Sequence, residues 1–352
     1  MINTNFLSEA RKFFQCEYLI PVGSGTAGLF LALKTIDVRH KKVMIPGLTC
    51  PNVALAVIAA GGTPVVVDVS HHDANISVAA IEQALDRTIR AIIAVDSFGY
   101  PANISALKKL AASFDILVIE DACQAYGGKI AGEVIGSRGD LGVISFGYSK
   151  PVALLGGGFL MTHSQDMFKN LTDVMASWNV NVWAVAKNRI ALKLGMKNQY
   201  KIFGFLSLYL GLLRYGFPAS LWKDLPEAWR RFENELEPVK SQLKKTQEFI
   251  SRFRGFERFD YKEENWLPWR YSFKLPQVLD RTLFANLARE IGLGYSRLYP
   301  PLTYQFQELE CLTDEKSAAN RISSAIINLK YEMNLRSIRS LVDKVSLLYK
   351  RW

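Results

Sequence analysis

The sequence has 352 residues, of which 49% are hydrophobic and 22% charged, and a formal net charge of +10. That balance belongs to a folded globular chain and excludes disordered or collagen-like classes; the length predicts one large domain and a smaller one. The four cysteines, Cys16, Cys50, Cys123 and Cys311, form no C-x-x-C pair. This argues against a disulfide framework or a zinc knuckle and fits a reducing cytoplasm. Charges interrupt the short apolar runs of the N-terminus, so no secretory segment is expected. The positive charge suits nucleic acid, an anionic membrane surface or a phosphate-bearing substrate equally. Its excess lies after residue 185, where acids and bases interleave as on solvated helix faces, so no nucleic-acid partner is expected.

Short β-branched runs alternate with longer helical patterns through the first third of the chain. YLIPV is followed by TAGLFLALKTI, KVMIP by PNVALAVIAAG, TPVVVDV by VAAIEQALD, and RAIIAV by ISALKKLAASF, before ILVIED closes the series. This βαβα alternation predicts an α/β fold whose mostly parallel sheet is covered by helices on both faces. Ligands of such sheets bind at the carboxyl ends of the strands. From Gly127 to Thr162 the pattern shifts to short strands separated by glycines, as when a sheet is completed by less regular connections.

The expected division is a large domain over 1–171, a hydrophobic connecting segment over 172–225 and a small α+β domain over 226–352. The connecting segment contains IFGFLSLYLGLL, flanked by Lys201 and Arg214. This apolar run is too short to span a membrane, which takes about 20 residues. A buried or dimer-interface role is the leading expectation for 182–217, and peripheral membrane contact the alternative. The small domain is expected to open with a helix from Pro226, followed by a strand in WRYSFKLP and a helix in RTLFANLAREIG.

Three motifs carry chemistry. First, Gly23-Ser24-Gly25-Thr26-Ala27-Gly28 lies between the first strand and the first helix of the alternation, where backbone N–H groups and the helix dipole attract phosphate. The same glycines satisfy G-x-G-x-x-G, but a dinucleotide site needs an acid at the end of the second strand. That strand ends VMIPGLT, with none. Second, Glu120 and Asp121 end a buried strand, where each carboxylate needs a cation or hydrogen-bond donors. Neighbours on a strand face opposite ways, so only one of them meets the site. Asp121 is the candidate, suited to the ring nitrogen of pyridoxal phosphate (PLP), whose protonated ring acts as an electron sink; Gln124 stands beside it as a polar neighbour. Third, an apolar strand ends at Ser145, and Lys150 follows in a loop before a glycine-rich turn. A serine there can donate to phosphate, and a partly desolvated lysine is a usable nucleophile for imine formation. His40, His71, His72 and His163 show no ligand spacing beyond the loop pair His71-His72, so no metal is implied.

In order and spacing, S-G-T-A, E-D-A-x-Q-A-x-G, G-S-x-G-D, S-F-x-x-x-K and the following G-G resemble the DegT/StrS-type sugar aminotransferases, within fold-type I PLP enzymes. The resemblance implies that Gly25, Thr26 and Ser145 hold the cofactor phosphate and that Asp121 pairs with the pyridine nitrogen. Gln124 would lie near the ring, and Lys150 would hold the cofactor as a Schiff base and move the proton. It further implies a homodimer that passes an amino group, from an amino acid such as glutamate, to a nucleotide-linked keto-sugar for a surface polysaccharide or glycan. One branch of the family carries histidine in place of the lysine and dehydrates; Lys150 favours transamination. Cys50 stands where the family often stacks an aromatic on the cofactor, and Leu298 stands for a histidine before Tyr299. Two alternatives accompany this expectation: a membrane-surface PLP enzyme acting on a lipid-linked or envelope precursor, and a non-catalytic PLP-binding regulator.

Overall fold

A computed structural model describes residues 5–147, 150, 157–176 and 229–238. It also describes 226, 241, 257–258, 267–268, 271–274, 286, 295–296, 302, 310–312, 318–319, 326–329 and 340. The segment 182–217 lies outside the described residues, as does the strand-to-helix detail expected around RTLFANLAREIG apart from Asn286. Among the described residues no helix is long and apolar enough to cross a membrane.

After α1 (Asn5–Phe14) comes the expected alternation: β1 (Tyr18–Val22), α2 (Gly25–Thr35), β2 (Lys42–Pro46), α3 (Pro51–Ala60), β3 (Thr63–Val67), α4 (Val78–Ala84), β4 (Ile89–Val95), α5 (Ile104–Ala112) and β5 (Leu117–Asp121). Shorter pieces follow, β6 (Ala125–Tyr126), β7 (Lys129–Ile130) and β8 (Glu133–Val134), then β9 (Leu141–Ser145), β10 (Gly158–Thr162) and α6 (Gln165–Ala176). The helix α6 runs across the boundary expected at residue 171. Toward the C-terminus lie β11 (Glu257–Arg258), β12 (Leu267–Pro268), β13 (Tyr271–Lys274), β14 (Tyr295–Ser296), β15 (Glu310–Leu312) and β16 (Ile326–Leu329).

Eight strands form the main sheet in the order β1-β10-β9-β5-β4-β2-β3-β15. All run the same way except β10, which is antiparallel to both neighbours. The central strands read as near-continuous apolar runs because helices cover both faces. One face packs Val43, Ile45, Val66, Ile93 and Val143 under α2 and α3; the other packs Met44, Val65, Val67, Ile92 and Val118 under α4 and α5.

The chain after residue 225 contributes to this same unit. The helical stretch 229–238 buries Trp229, Phe232 and Leu236, one stripe at i, i+3 and i+7. These join Phe14, Tyr126, Phe146 and Phe159 in one cluster, each anchor worth about 2 kcal/mol of burial. Strand β15 extends the main sheet beyond β3. The Asp68 carboxylate accepts the N–H groups of Ala318 and Ala319, both at 2.9 Å, and Leu302 N–H reaches Gly47 O at 2.9 Å. A separate antiparallel sheet, β11-β13-β16-β14, contains the strand expected in WRYSFKLP.

Candidate active site

The order of the main sheet brings three sequence-distant corners together at the carboxyl ends of its strands: the turn into α2, the end of β5 and the end of β9. At the first, Ser24 is the N-cap of α2 and its hydroxyl accepts from Ala27 N–H at 3.1 Å. Gly28 N–H bonds Ser24 O at 2.9 Å. A helix start leaves its first N–H groups without intrahelical acceptors; with Ala27 and Gly28 satisfied, the N–H groups of Gly25 and Thr26 remain, and no described acceptor takes them. Gly25 is glycine because the turn lies against the ends of β5 and β9. A Cβ there would stand 2.5 Å from the Cys123 sulfur and 3.0 Å from Ser145 Cβ. The third glycine of G-x-G-x-x-G has a packing role, since a Cβ on Gly28 would meet Val143 Cγ1 at 2.8 Å.

At the second corner Glu120 and Asp121 part as expected. Glu120 is fully buried against Arg138. Asp121 is 5% exposed, and its Oδ1 accepts Cys123 N–H at 3.1 Å. Burial raises its pKa above the ordinary carboxylate value, while the Cys123 hydrogen bond and the Lys150 charge pull it back. Gln124, 3% exposed, accepts Phe98 N–H on its Oε1 at 2.8 Å. An N–H can bond only an acceptor, so the carboxamide's orientation is fixed and its NH2 is the end left to offer.

At the third corner Ser145 Oγ accepts Gly147 N–H at 3.2 Å, which leaves the hydroxyl proton to be donated elsewhere. Lys150 is half-buried and held at its backbone by Gly147 O at 2.9 Å. Its charge acts on Asp121, Cys50 and Cys123 together, so the lysine lies on the side of the sheet where these three meet. Burial pushes both thiols up, Cys123 strongly with Asp121 adding to the effect. Cys50 is the N-cap of α3 but makes no side-chain cap bond. Two residues on, Asn52 Nδ2 donates to Thr26 Oγ1 at 3.4 Å, so the starts of α2 and α3 meet.

Gly25, Thr26, Asp121, Gln124, Ser145 and Lys150, the six residues singled out from sequence, thus lie near the carboxyl ends of β5 and β9. Sequence reasoning missed Arg138, Asp96 and Asn75, which lie behind them. The available signal was the buried Glu120, which had to find a cation; Arg138 occupies the variable position of G-S-x-G-D.

The DegT/DnrJ/EryC1/StrS aminotransferase family model matches residues 2–199. Over 150 residues the chain is 37% identical to a UDP-N-acetyl-3-dehydro-alpha-D-glucosamine 3-aminotransferase of Acidithiobacillus ferrooxidans, covering 42% of this chain and 41% of that protein. The matches to curated relatives span about two fifths of those proteins' length. Among solved structures, an aminotransferase from Psychrobacter cryohalolentis superposes with a TM-score of 0.73 over 99% of this chain and 91% of its own, at 16% identity. An E. coli GDP-4-keto-6-deoxy-D-mannose-3-dehydratase with bound hydrated PLP superposes at 0.70 over 97% and 90%, also at 16%. Those two likenesses are of fold, whereas the family match rests on sequence over more than half the chain. This chain belongs to the DegT/DnrJ/EryC1/StrS aminotransferase family.

Proposed function

We propose that the protein is a PLP-dependent aminotransferase that passes an amino group from an amino acid, glutamate being the expected donor, to a nucleotide-linked keto-sugar. The observation that carries this reading is that a helix start with unsatisfied N–H groups, a buried acid and a half-buried lysine come together at the carboxyl ends of β5 and β9. The residues fit the cofactor. A phosphate ester needs donors, and the N–H groups of Gly25 and Thr26 with the Ser145 hydroxyl supply them. A protonated pyridine nitrogen needs a carboxylate, and Asp121 is buried with a single N–H donor on Oδ1 and a pKa raised by desolvation, so a cation alongside would stabilise its ionised form. An aldehyde needs a primary amine, and Lys150 is the lysine whose charge reaches Asp121.

When bound, PLP supplies the electron sink for breaking a Cα–H bond. The chain's residues do the rest. Asp121 would keep the ring nitrogen protonated, and the Gln124 NH2, left over by the bond to Phe98 N–H, would be available to the cofactor. Lys150 Nζ would hold the cofactor and, once freed from it, would be the base that takes a proton from the donor's Cα. Lysine rather than histidine here supports transamination over dehydration. The substrate class is supported by the nucleotide sugars named for the relative from A. ferrooxidans and for the E. coli dehydratase. We include in the proposal a homodimer, a cytoplasmic setting and a role in surface-glycan synthesis, all resting on the family resemblance.

The test is borohydride reduction of the protein loaded with pyridoxal phosphate, followed by peptide mapping. A label on Lys150, absent from Lys150→Ala, is the expected result; a label on another lysine overturns the assignment.

A further inference from the structure

Behind the site lies a buried ionic knot that the proposed chemistry does not use. Arg138, 6% exposed, donates its Nε to Glu120 Oε1 at 2.7 Å, with its Nη2 on the same oxygen. Its backbone N–H donates to Glu120 Oε2 at 2.8 Å. The same guanidinium reaches Ala102 O at 3.2 Å and Asp96 Oδ1 at 3.3 Å. Asp96 Oδ1 also accepts Ala102 N–H at 2.7 Å, so both ends of the loop 96–102 close on one side chain.

That loop is not one the backbone would choose unaided. Phe98 sits at φ 58° and Gly99 at φ 95°, and a non-glycine residue in the left-handed region persists only where its surroundings hold it. Asn75 helps by accepting Ser97 N–H at 2.8 Å and donating to Tyr100 O at 2.9 Å. The reward for the unusual turn is that Phe98 N–H points at Gln124 Oε1. Asp96 N–H meanwhile donates to Asp121 O at 3.0 Å.

We propose that Arg138 is a positioning residue for the cofactor site: it ties the strand end carrying Asp121 to the loop that orients Gln124, so that the ring-nitrogen acid and the ring-edge amide stay in fixed relation. This rests on the PLP reading of the site. Glu120 supplies the β5 side of the tie, and Asp96 and Ala102 supply the loop side. A lysine cannot replace the arginine, because one ammonium does not span three acceptors in the plane of a guanidinium fork.

The test uses Arg138→Lys and the pair Glu120→Gln with Arg138→Met, which removes one charge of each sign from the core and leaves Asp96 held by Ala102 N–H. In the cofactor-free proteins, amide exchange over 96–102 should quicken about tenfold while β2 and β3 keep wild-type rates. Binding of pyridoxal phosphate should weaken about tenfold, the scale of one hydrogen bond misplaced, and the visible band of the bound cofactor should move. Unchanged loop exchange overturns the tie. A loosened loop with unaltered affinity and band makes the knot structural only. If the wild-type protein takes up no pyridoxal phosphate while its variants still show the loosened loop, the cofactor reading has failed and Arg138's role toward it falls too.

Discussion

Glu120 and Asp121 are consecutive residues of one strand, both buried, yet their surroundings differ. Glu120 has both oxygens engaged by a single arginine, through its guanidinium and its backbone N–H. Among the described residues, Asp121 has Cys123, through its thiol and its backbone N–H, and the charge of Lys150 to offset its burial. A carboxylate that is fully matched inside the protein has nothing to offer a ligand; one left partly matched carries a cost that a cationic ligand can remove. The strand's two-residue period separates these two environments by one peptide bond.

The sharpest way to probe this contrast is to neutralise the acid assigned to the site. Asp121→Asn should retain pyridoxal phosphate, because the asparagine oxygen still accepts Cys123 N–H. The glutamate-driven loss of the visible band, followed by stopped flow, should slow about a thousandfold, since the ring nitrogen is no longer kept protonated. Near-normal rates would mean that another group holds the ring.

On the other side, Glu120→Ala should act on folding. Removing one partner of a buried pair leaves Arg138 with Asp96 as its remaining anion, and urea unfolding should report a loss of about 3 kcal/mol. A variant as stable as wild type would show that water or Asp96 compensates.

The smallest effect is a gain. The folded-state pKa of Asp121 is raised, so its ionised form opposes folding; the penalty is absent at pH below the ordinary carboxylate range and grows as pH rises through the raised value. Cofactor-free Asp121→Asn should therefore melt slightly above wild type at pH 8, with the gap closing as the pH falls. A gap that widens on acidification would contradict the sign of the shift.

The sequence made most of this region readable. The strands β1 to β5 appeared as apolar runs because helices bury both their faces, and the helices between them as longer patterns; that three of these open on side-chain caps, Ser24, Ser77 and Asn103, came from the structure. Strand-end placement then selected Asp121, Ser145 and Lys150. What could not be read were pairings over long separations. Arg138 meets Asp96 across 42 positions, and no local pattern ties them. Strand β15 has three residues, too few for any periodicity to show, so its pairing beside β3 could not be read locally.

The place of β15 at the sheet margin bears on how the chain emerges from the ribosome. Strand β3, with its Pro-Val-Val-Val run, is complete at Val67, whereas its outer neighbour arrives only at Glu310–Leu312. At roughly 5–20 residues per second the interval is on the order of 10–50 s. For that time the margin offers unpaired backbone groups beside an apolar run, the kind of edge that recruits foreign strands. Truncations ending before Glu310 should thus be prone to aggregation during synthesis, and holding chaperones should engage the nascent chain until Leu312 is made.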